Sequence, residues 1–460
     1  YNVFGSGLGI NNPNVIEGLK VNTMRNAQSE LQMWDVKAAG DLYELPGGML
    51  AMAIGAETAK ENSSDVGDSL SMANKIVASG GTSNAGDRSR EAEYVEFMVP
   101  IIGEENRVTG IHTLGVQAAW RFEQYSDFGS TDNPKVGIKY APWERLLLRS
   151  TYQTAFKAPS LYQLYMGESI SYPFLRDPAR GDDGMQYRSK SGGNEDLMPE
   201  ETDSISLGAV IDIPMPENME LKASVNWSSH EMENVISSIG AQYMLNNEDL
   251  FKDKIVRNPQ TDEDKEKGIP GSIQYINSSY QNLAEQRVES LDFGLDYTLN
   301  TSVGFFDARL NATYQYTYDN KPRPKNDDGS PASFLDEAGS YGAPEWRGQA
   351  SLFWHYEKYA VGATVNYVDS FDQLYGAVSE VDSFTTLDLQ ASYDLTDNSR
   401  LTIGAANVTD EEAYGKYAKL AGPAIAKLST LLDSQKDEAR LTAIAASARL
   451  LDQPRQALLD

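Results

Sequence analysis

Cysteine is absent from all 460 residues, which excludes disulfides, thiolate metal sites and thiol chemistry. Histidine is scarce: His112, His230 and His355 stand far apart with no nucleophile motif nearby, so a Ser/His hydrolase finds no support. Basic residues are outnumbered, 39 Lys and Arg against 67 Asp and Glu, for a net charge of −28. Neutralising phosphates needs clustered Lys and Arg, so nucleic-acid binding is excluded. No apolar run reaches the ~18 residues of a membrane-spanning helix. That leaves strands open, because a transmembrane strand needs only about ten residues of alternating hydrophobicity. A soluble chain of this length would divide into domains of ~150 residues, yet no linker interrupts its first nine-tenths.

What is present is alternation. Leu114, Val116, Ala118, Trp120 and Phe122 interleave with Gly115, Gln117, Ala119, Arg121 and Glu123. A period of two places apolar groups on one face of a strand and polar groups on the other. Ala308, Leu310, Ala312, Tyr314 and Tyr316 alternate in the same way with Asp307, Arg309, Asn311, Thr313 and Gln315. About fourteen strands can be read in pairs across short turns: 32–45 with 49–60, 91–102 with 108–125, and a strand after the loop 126–134 with 146–154. The later pairs are 202–213 with 219–230, 286–299 with 305–318, 345–356 with 360–367, and 384–395 with 400–407.

The links between pairs are mostly long and polar: 61–90, 160–200, 236–275, 319–343 and 369–382. Short turns alternating with long loops are the rhythm of a membrane barrel, with one kind of connection on each side of the bilayer. The expected fold is all-β: an antiparallel up-and-down transmembrane β-barrel portion with a polar lumen and with Trp143, Tyr297, Trp346, Tyr356 and Tyr393 suited to an interfacial girdle. Arg121, Arg149 and Arg309 would face that lumen, where they could line a path for anionic ligands or be satisfied by cross-strand carboxylates.

Other motifs read as structure. Gly5-Ser6-Gly7-Leu8-Gly9 has no strand leading into it and no helix after it, so residues 1–30 are expected as a loop and not a phosphate cradle. Asp182-Asp183, Asp262-Glu263-Asp264 and Asp327-Asp328 lack the glycine and bidentate glutamate of a calcium loop and read as solvated loops. No metal site, cofactor or catalytic group is expected. Asn407-Val408-Thr409 has the form of a glycosylation sequon but reads simply as part of a sequence motif.

From Glu91 to Tyr165 the chain resembles the mid-barrel of TonB-dependent outer-membrane receptors. The resemblance rests on the ending Phe156, Lys157, Ala158, Pro159, Ser160, Leu161, Tyr162, Gln163, Leu164, Tyr165, where the family more often has Arg and Glu in place of Lys157 and Gln163. Four further pieces follow in the family's order: 40–57, 192–208, 282–297 and 381–414, the last carrying Asn407 and Asp410. The resemblance covers about 31–414 and implies about fourteen of the ~22 strands of a plugged transporter. It implies location in the Gram-negative outer membrane, contact with lipid and lipopolysaccharide, and no enzymatic activity. It also implies active uptake of a scarce nutrient (ferric siderophore, cobalamin, oligosaccharide or peptide), energised by the TonB complex. A passive porin-like channel is the alternative.

The chain departs from the family at both ends. It begins at Tyr1 without Met or signal peptide, and the plug, the energy-coupling box, about the first third of the barrel and the closing strand are not in it. A partial barrel of this kind is not expected to transport by itself. Residues 415–460 are rich in Ala and Leu, with Ile425, Leu428, Leu432, Ala439, Ile444, Ala448 and Leu451 near a helical stripe between Pro423 and Pro454. They are expected as a short helical tail, either a docking module or a fused, partly foreign end.

Overall fold

The computed structural model describes residues 13–73, 75–76, 82–181, 184–340, 342–372 and 380–411. The Gly5–Gly9 stretch, Asp182-Asp183 and the expected helical tail lie outside the described residues. Fourteen strands follow one another in chain order through one antiparallel sheet. They are β1 (Arg25–Leu45), β2 (Gly48–Gly67), β3 (Asn84–Ile102), β4 (Thr113–Tyr125), β5 (Gly129–Trp143), β6 (Leu146–Lys157) and β7 (Glu200–Ile213). The rest are β8 (Met219–Ser237), β9 (Gln281–Thr301), β10 (Gly304–Lys321), β11 (Trp346–Tyr356), β12 (Tyr359–Val368), β13 (Phe384–Thr396) and β14 (Ser399–Ala405). Among the described residues no helix is long and apolar enough to cross a membrane.

The strands outrun the alternation that announces them. β1 starts at Arg25, inside the stretch expected as loop, and pairs with β2 out to Arg25↔Gly67. Residues 129–134, also expected as loop, belong to β5, with Thr131 opposite Glu123 and Ser130 opposite Gln124. The reason is the same in both places. A β-ladder is made by backbone groups, so it continues where both faces turn polar and the period-two signal fades. In the other direction, Val108 does not begin β4. Gly110 takes φ 82° and Val108 pairs only with Ile111, so the chain turns there before Thr113.

The chain divides into two units. The first holds β1–β6, the adjoining ends of β7–β10 and the long connections 158–199, 238–280 and 322–336. Its sheet has two unlike faces. One apolar row crosses five strands, Met52↔Phe97↔Ala118↔Val136↔Tyr152. On this face Ile54, Trp120, Val136, Ile138 and Tyr152 are each 44–48% exposed. The other face carries Tyr94↔Arg121↔Asn133 in register.

The long connections of this unit are folded, not loose. A four-stranded sheet joins Ser169–Ser171, Ser189–Ser191, Ile273–Asn277 and Ile255–Arg257, with a parallel pairing between the second and third. Met244 and Ile276, both 0% exposed, and Phe251 at 2% anchor a core that also takes in Leu175 and Tyr187. Asp262–Lys267 is a helix with a Thr261/Asp264 capping box, which corrects its reading as solvated loop. Asp264 is 5% exposed and pairs with Arg180 at 2.9 Å. Backbone donation from Thr261, then its hydroxyl, then Arg180 hold the Asp264 carboxyl below the usual aspartate range. Asp327 and Asp328 do sit in a turn, paired with Arg323 and Ser330.

The second unit holds β11–β14 and the short-turn ends of β7–β10. It repeats the two-faced pattern. Leu310↔Ala350↔Val365↔Leu387 is apolar, and Asn311↔Gln349↔Asn366↔Thr386 is polar. Its β11–β12 turn puts Glu357 at φ 50°, a left-handed conformation unfavourable for a side chain with a Cβ.

Candidate functional site

The polar face of the first unit carries a lattice of alternating charges built by cross-strand register. Arg121 of β4 donates from Nη2 to Oε2 of Glu57 on β2 at 2.7 Å, and from Nε to Oε1 of Glu123 at 2.5 Å. Arg90 of β3 lies 3.4 Å from both of those carboxylates. The Tyr125 hydroxyl donates to Glu123 at 3.0 Å, and the Arg121 guanidinium lies 5.7 Å from the Tyr94 ring centre. Such a lattice replaces the water that each charge would otherwise keep.

Of the three sequence-predicted arginines, Arg121 and Arg149 share this face, since Arg149 is opposite Lys139 and Lys139 is opposite Gly115 of β4. Arg149 is solvent-exposed. Arg309 is in the second unit, 3.1 Å from Asp307 and 3.7 Å from Asp296. Sequence reasoning missed Arg88, Arg90 and Glu57, and it put Glu123 on the polar face without a role. The signal was there: Arg90 and Arg88 are two and four residues ahead of Ala92 and share its face, but the strand was read only from Glu91.

The motif from Phe156 to Tyr165 is a strap at the rim of the sheet. Phe156 meets the Tyr125 ring edge-on at 5.8 Å, and Tyr125 stacks on Phe128 at 4.5 Å. After Ala158, the carbonyl of buried Pro159 accepts from Arg88 at 3.0 Å. Ser160 caps the helix Leu161–Tyr165 in a reciprocal box with Gln163, so the Gln in the family's Glu position still closes the cap. Leu161, Leu164 and Leu197 form a small core against Ile236 and Tyr280. The Tyr165 ring lies where a Cβ on Gly86 would be.

The second motif is a chain reversal. Asn407 and Asp410 take φ 48° and 52°. The Asn407 N–H donates to Oδ1 of Asp388 at 2.7 Å, its Oδ1 accepts from the Glu411 N–H at 3.1 Å, and its Nδ2 donates to the Glu411 carbonyl at 2.9 Å. Those bonds occupy the amide that a glycan would need.

Two arrangements bear on other chemistries. Ser204 Oγ and His230 Nδ1 are 2.9 Å apart, a contact the sequence did not announce. No carboxylate orients the other ring nitrogen among the described residues, so the pair lacks the third member a hydrolase requires. Among the described residues no group of three or more His, Asp or Glu is placed to hold a metal ion.

A sheet with one exposed apolar face and one ion-paired face, carrying folded connections, defines a protein of the transmembrane β-barrel class. The chain matches the TonB dependent receptor-like β-barrel family over residues 18–408 and belongs to that family. Family members are transport receptors of the Gram-negative outer membrane, not enzymes. Among solved structures it is similar to a variant of the ferric enterobactin receptor of Pseudomonas aeruginosa in complex with enterobactin, at 17% identity and TM-score 0.57 over 84% of this chain and 49% of that one. It is also similar to the siderophore receptor PirA of Acinetobacter baumannii, at 16% identity and TM-score 0.52 over 83% and 51%. A third is a double mutant of the Serratia marcescens hemophore receptor HasR in complex with HasA and heme, at 17% identity and TM-score 0.51 over 84% and 56%. The chain thus spans about half the length of these structures. No curated protein matches it by sequence.

Proposed function

We propose that this chain forms wall and outer loops of an outer-membrane receptor for the active uptake of a scarce, bulky nutrient, with a ferric siderophore as the first candidate and haem as the second. The observation that carries the reading is the pairing of two opposite faces on the same strands. Half-exposed Ile54, Trp120, Val136 and Ile138 would be costly in water, each forfeiting roughly half of the ~1.5–3 kcal/mol that full burial brings, and are at home against lipid and lipopolysaccharide. The run from Leu114 to Phe122 spans roughly 26 Å along the strand, or roughly 20 Å of depth at the usual tilt, close to the ~25 Å apolar band of an outer membrane. The ion-paired face of the first unit then lines the lumen, with Arg121 and Arg149 along it, Arg309 does the same on the polar face of the second unit, and the packed connections 158–199 and 238–280 collect ligand outside. Energy reaches the whole receptor through the TonB complex. Enterobactin and heme accompany two of the similar structures, which sets the order of candidates.

The test is a titration of the purified chain, folded into outer-membrane lipid, with ferric enterobactin and with haem, read by tryptophan fluorescence. Saturable quenching by either supports the receptor. A steady ohmic conductance in a planar bilayer without saturable binding replaces it with the passive channel.

A further inference from the structure

Several links at one rim of the first unit converge on a single guanidinium. Arg88 is 6% exposed. Its Nη1 donates to the Pro159 carbonyl at 3.0 Å and lies 3.5 Å from Asp127, while its Nη2 donates to Glu61 at 3.1 Å. The Tyr125 ring centre is 5.6 Å away. One side chain therefore joins β2, the β4–β5 turn and the strap that opens the 158–199 connection.

The strap is also fixed by backbone contacts that leave no room for a side chain. The Gly167 N–H donates to Ser83 at 3.0 Å, the Gly193 N–H to Met166 at 2.8 Å, and the Asn194 N–H to Gln163 at 2.9 Å. A Cβ on Gly86 would lie 2.0 Å from the Tyr165 ring, and one on Gly193 would lie 2.3 Å from the Leu164 carbonyl. Beyond the strap, the strand Ser169–Ser171 continues to Phe174–Leu175. Leu175 is buried, while Ile170, Tyr172 and Phe174 are 45%, 60% and 68% exposed. The strap decides where that apolar row is presented.

We infer that Arg88 is a positioning residue for the outer connection 158–199, holding it at one angle so that Ile170, Tyr172 and Phe174 meet incoming ligand. The ligand half of this inference rests on the receptor reading above; the positioning half does not. The side chain has to be arginine. Glu61, Asp127 and the Pro159 carbonyl lie in different directions, and a planar fork reaches all three where the point charge of a lysine cannot.

The experiment uses the full chain folded in lipid vesicles, with Arg88→Lys, Arg88→Met and, as a route that leaves the charges alone, Gly86→Ala. Trypsin cleavage after exposed Arg176 reports opening of the connection, and the heat-dependent shift in gel mobility reports the sheet. All three variants are expected to accelerate that cleavage by about tenfold, because proteolysis follows the open population, with the gel shift unchanged. The midpoint of a ferric enterobactin titration is expected to weaken in all three. Wild-type cleavage rates in Arg88→Lys and Gly86→Ala would overturn the inference. So would loss of the gel shift in all three, which makes Arg88 a support of the sheet itself. If the wild type binds neither ferric enterobactin nor haem, the receptor reading fails while the cleavage rates still decide the positioning role.

Discussion

Replacing Arg121 with glutamine asks whether that guanidinium belongs to the wall or to the ligand. In the structure its side chain is 29% exposed and its partners Glu57 and Glu123 are 21% and 7% exposed. Removing one partner of a fully buried pair costs about 3–5 kcal/mol, and exposed pairs contribute ~0–1 kcal/mol. The intermediate burial, with Arg90 still 3.4 Å from both carboxylates, places Arg121→Gln at about 2 kcal/mol of lost stability. Urea unfolding of the chain in phospholipid vesicles, followed by tryptophan fluorescence, measures it. Adding Glu57→Gln removes the stranded carboxylate, so the double variant should be less damaged than the sum by about 1 kcal/mol. A guanidinium kept for a passing anion predicts otherwise: stability within ~0.5 kcal/mol of wild type, additive single effects and a changed anion affinity. That second outcome would refute the wall assignment.

Gly362→Ala should lower stability by about 1–3 kcal/mol, because a Cβ there would lie 2.1 Å from the Phe353 ring that crosses the strand; a neutral result in the same unfolding assay counts against the packing described. Glu357→Gly should stabilise the β11–β12 turn by about 1 kcal/mol by relieving the left-handed backbone at φ 50°, visible as a raised urea midpoint. Asp264 gives a pH dependence of defined sign. Its carboxyl is held below its ordinary range, so the stabilisation it brings is complete above about pH 4 and is lost as pH falls through the lowered value. Amide exchange over 261–269, corrected for intrinsic rates, should therefore quicken in acid in wild type and not in Asp264→Asn. Asn407→Ala removes the side-chain bonds to Glu411 and leaves a left-handed alanine, a loss of about 1–2 kcal/mol read by urea.

The sheet was legible because a strand inside a bilayer must segregate its two faces. Leu114 to Phe122 and Ala308 to Tyr316 show the period of two because apolar side chains gather on one face and polar or charged ones on the other. Where strands leave the apolar layer that demand lapses. Arg25–Glu30 and Gly129–Pro134 continue the backbone ladder with polar side chains, and no alternation announced them. The folded connections were hidden for a different reason. Their core draws Leu175 and Tyr187 from one link and Met244, Phe251 and Ile276 from another, a few apolar residues at a time among polar ones. No window along the chain contains enough of them to signal a fold, since their partners come from distant sequence.

The candidate site was half legible, and the missing half explains the part that was seen. Arg121 stood out as a charge on a strand, which suggested a ligand path. A bare guanidinium on a partly dry face would carry a desolvation cost that a transient ligand could not continuously offset. It therefore had to be accompanied: Glu123 stands two residues along the same strand, while Glu57 and Arg90 lie on two other strands where only register reveals them. The same holds at the rim. The strap residues Phe156–Tyr165 were readable as a motif, but the motif's partner is Arg88, about seventy positions earlier in the chain. A guanidinium that lies on the polar face, forks to two carboxylates and still donates to a carbonyl of the strap has only one use for that last bond. It fixes the strap's direction, so the outer connection is aimed by the wall beneath it.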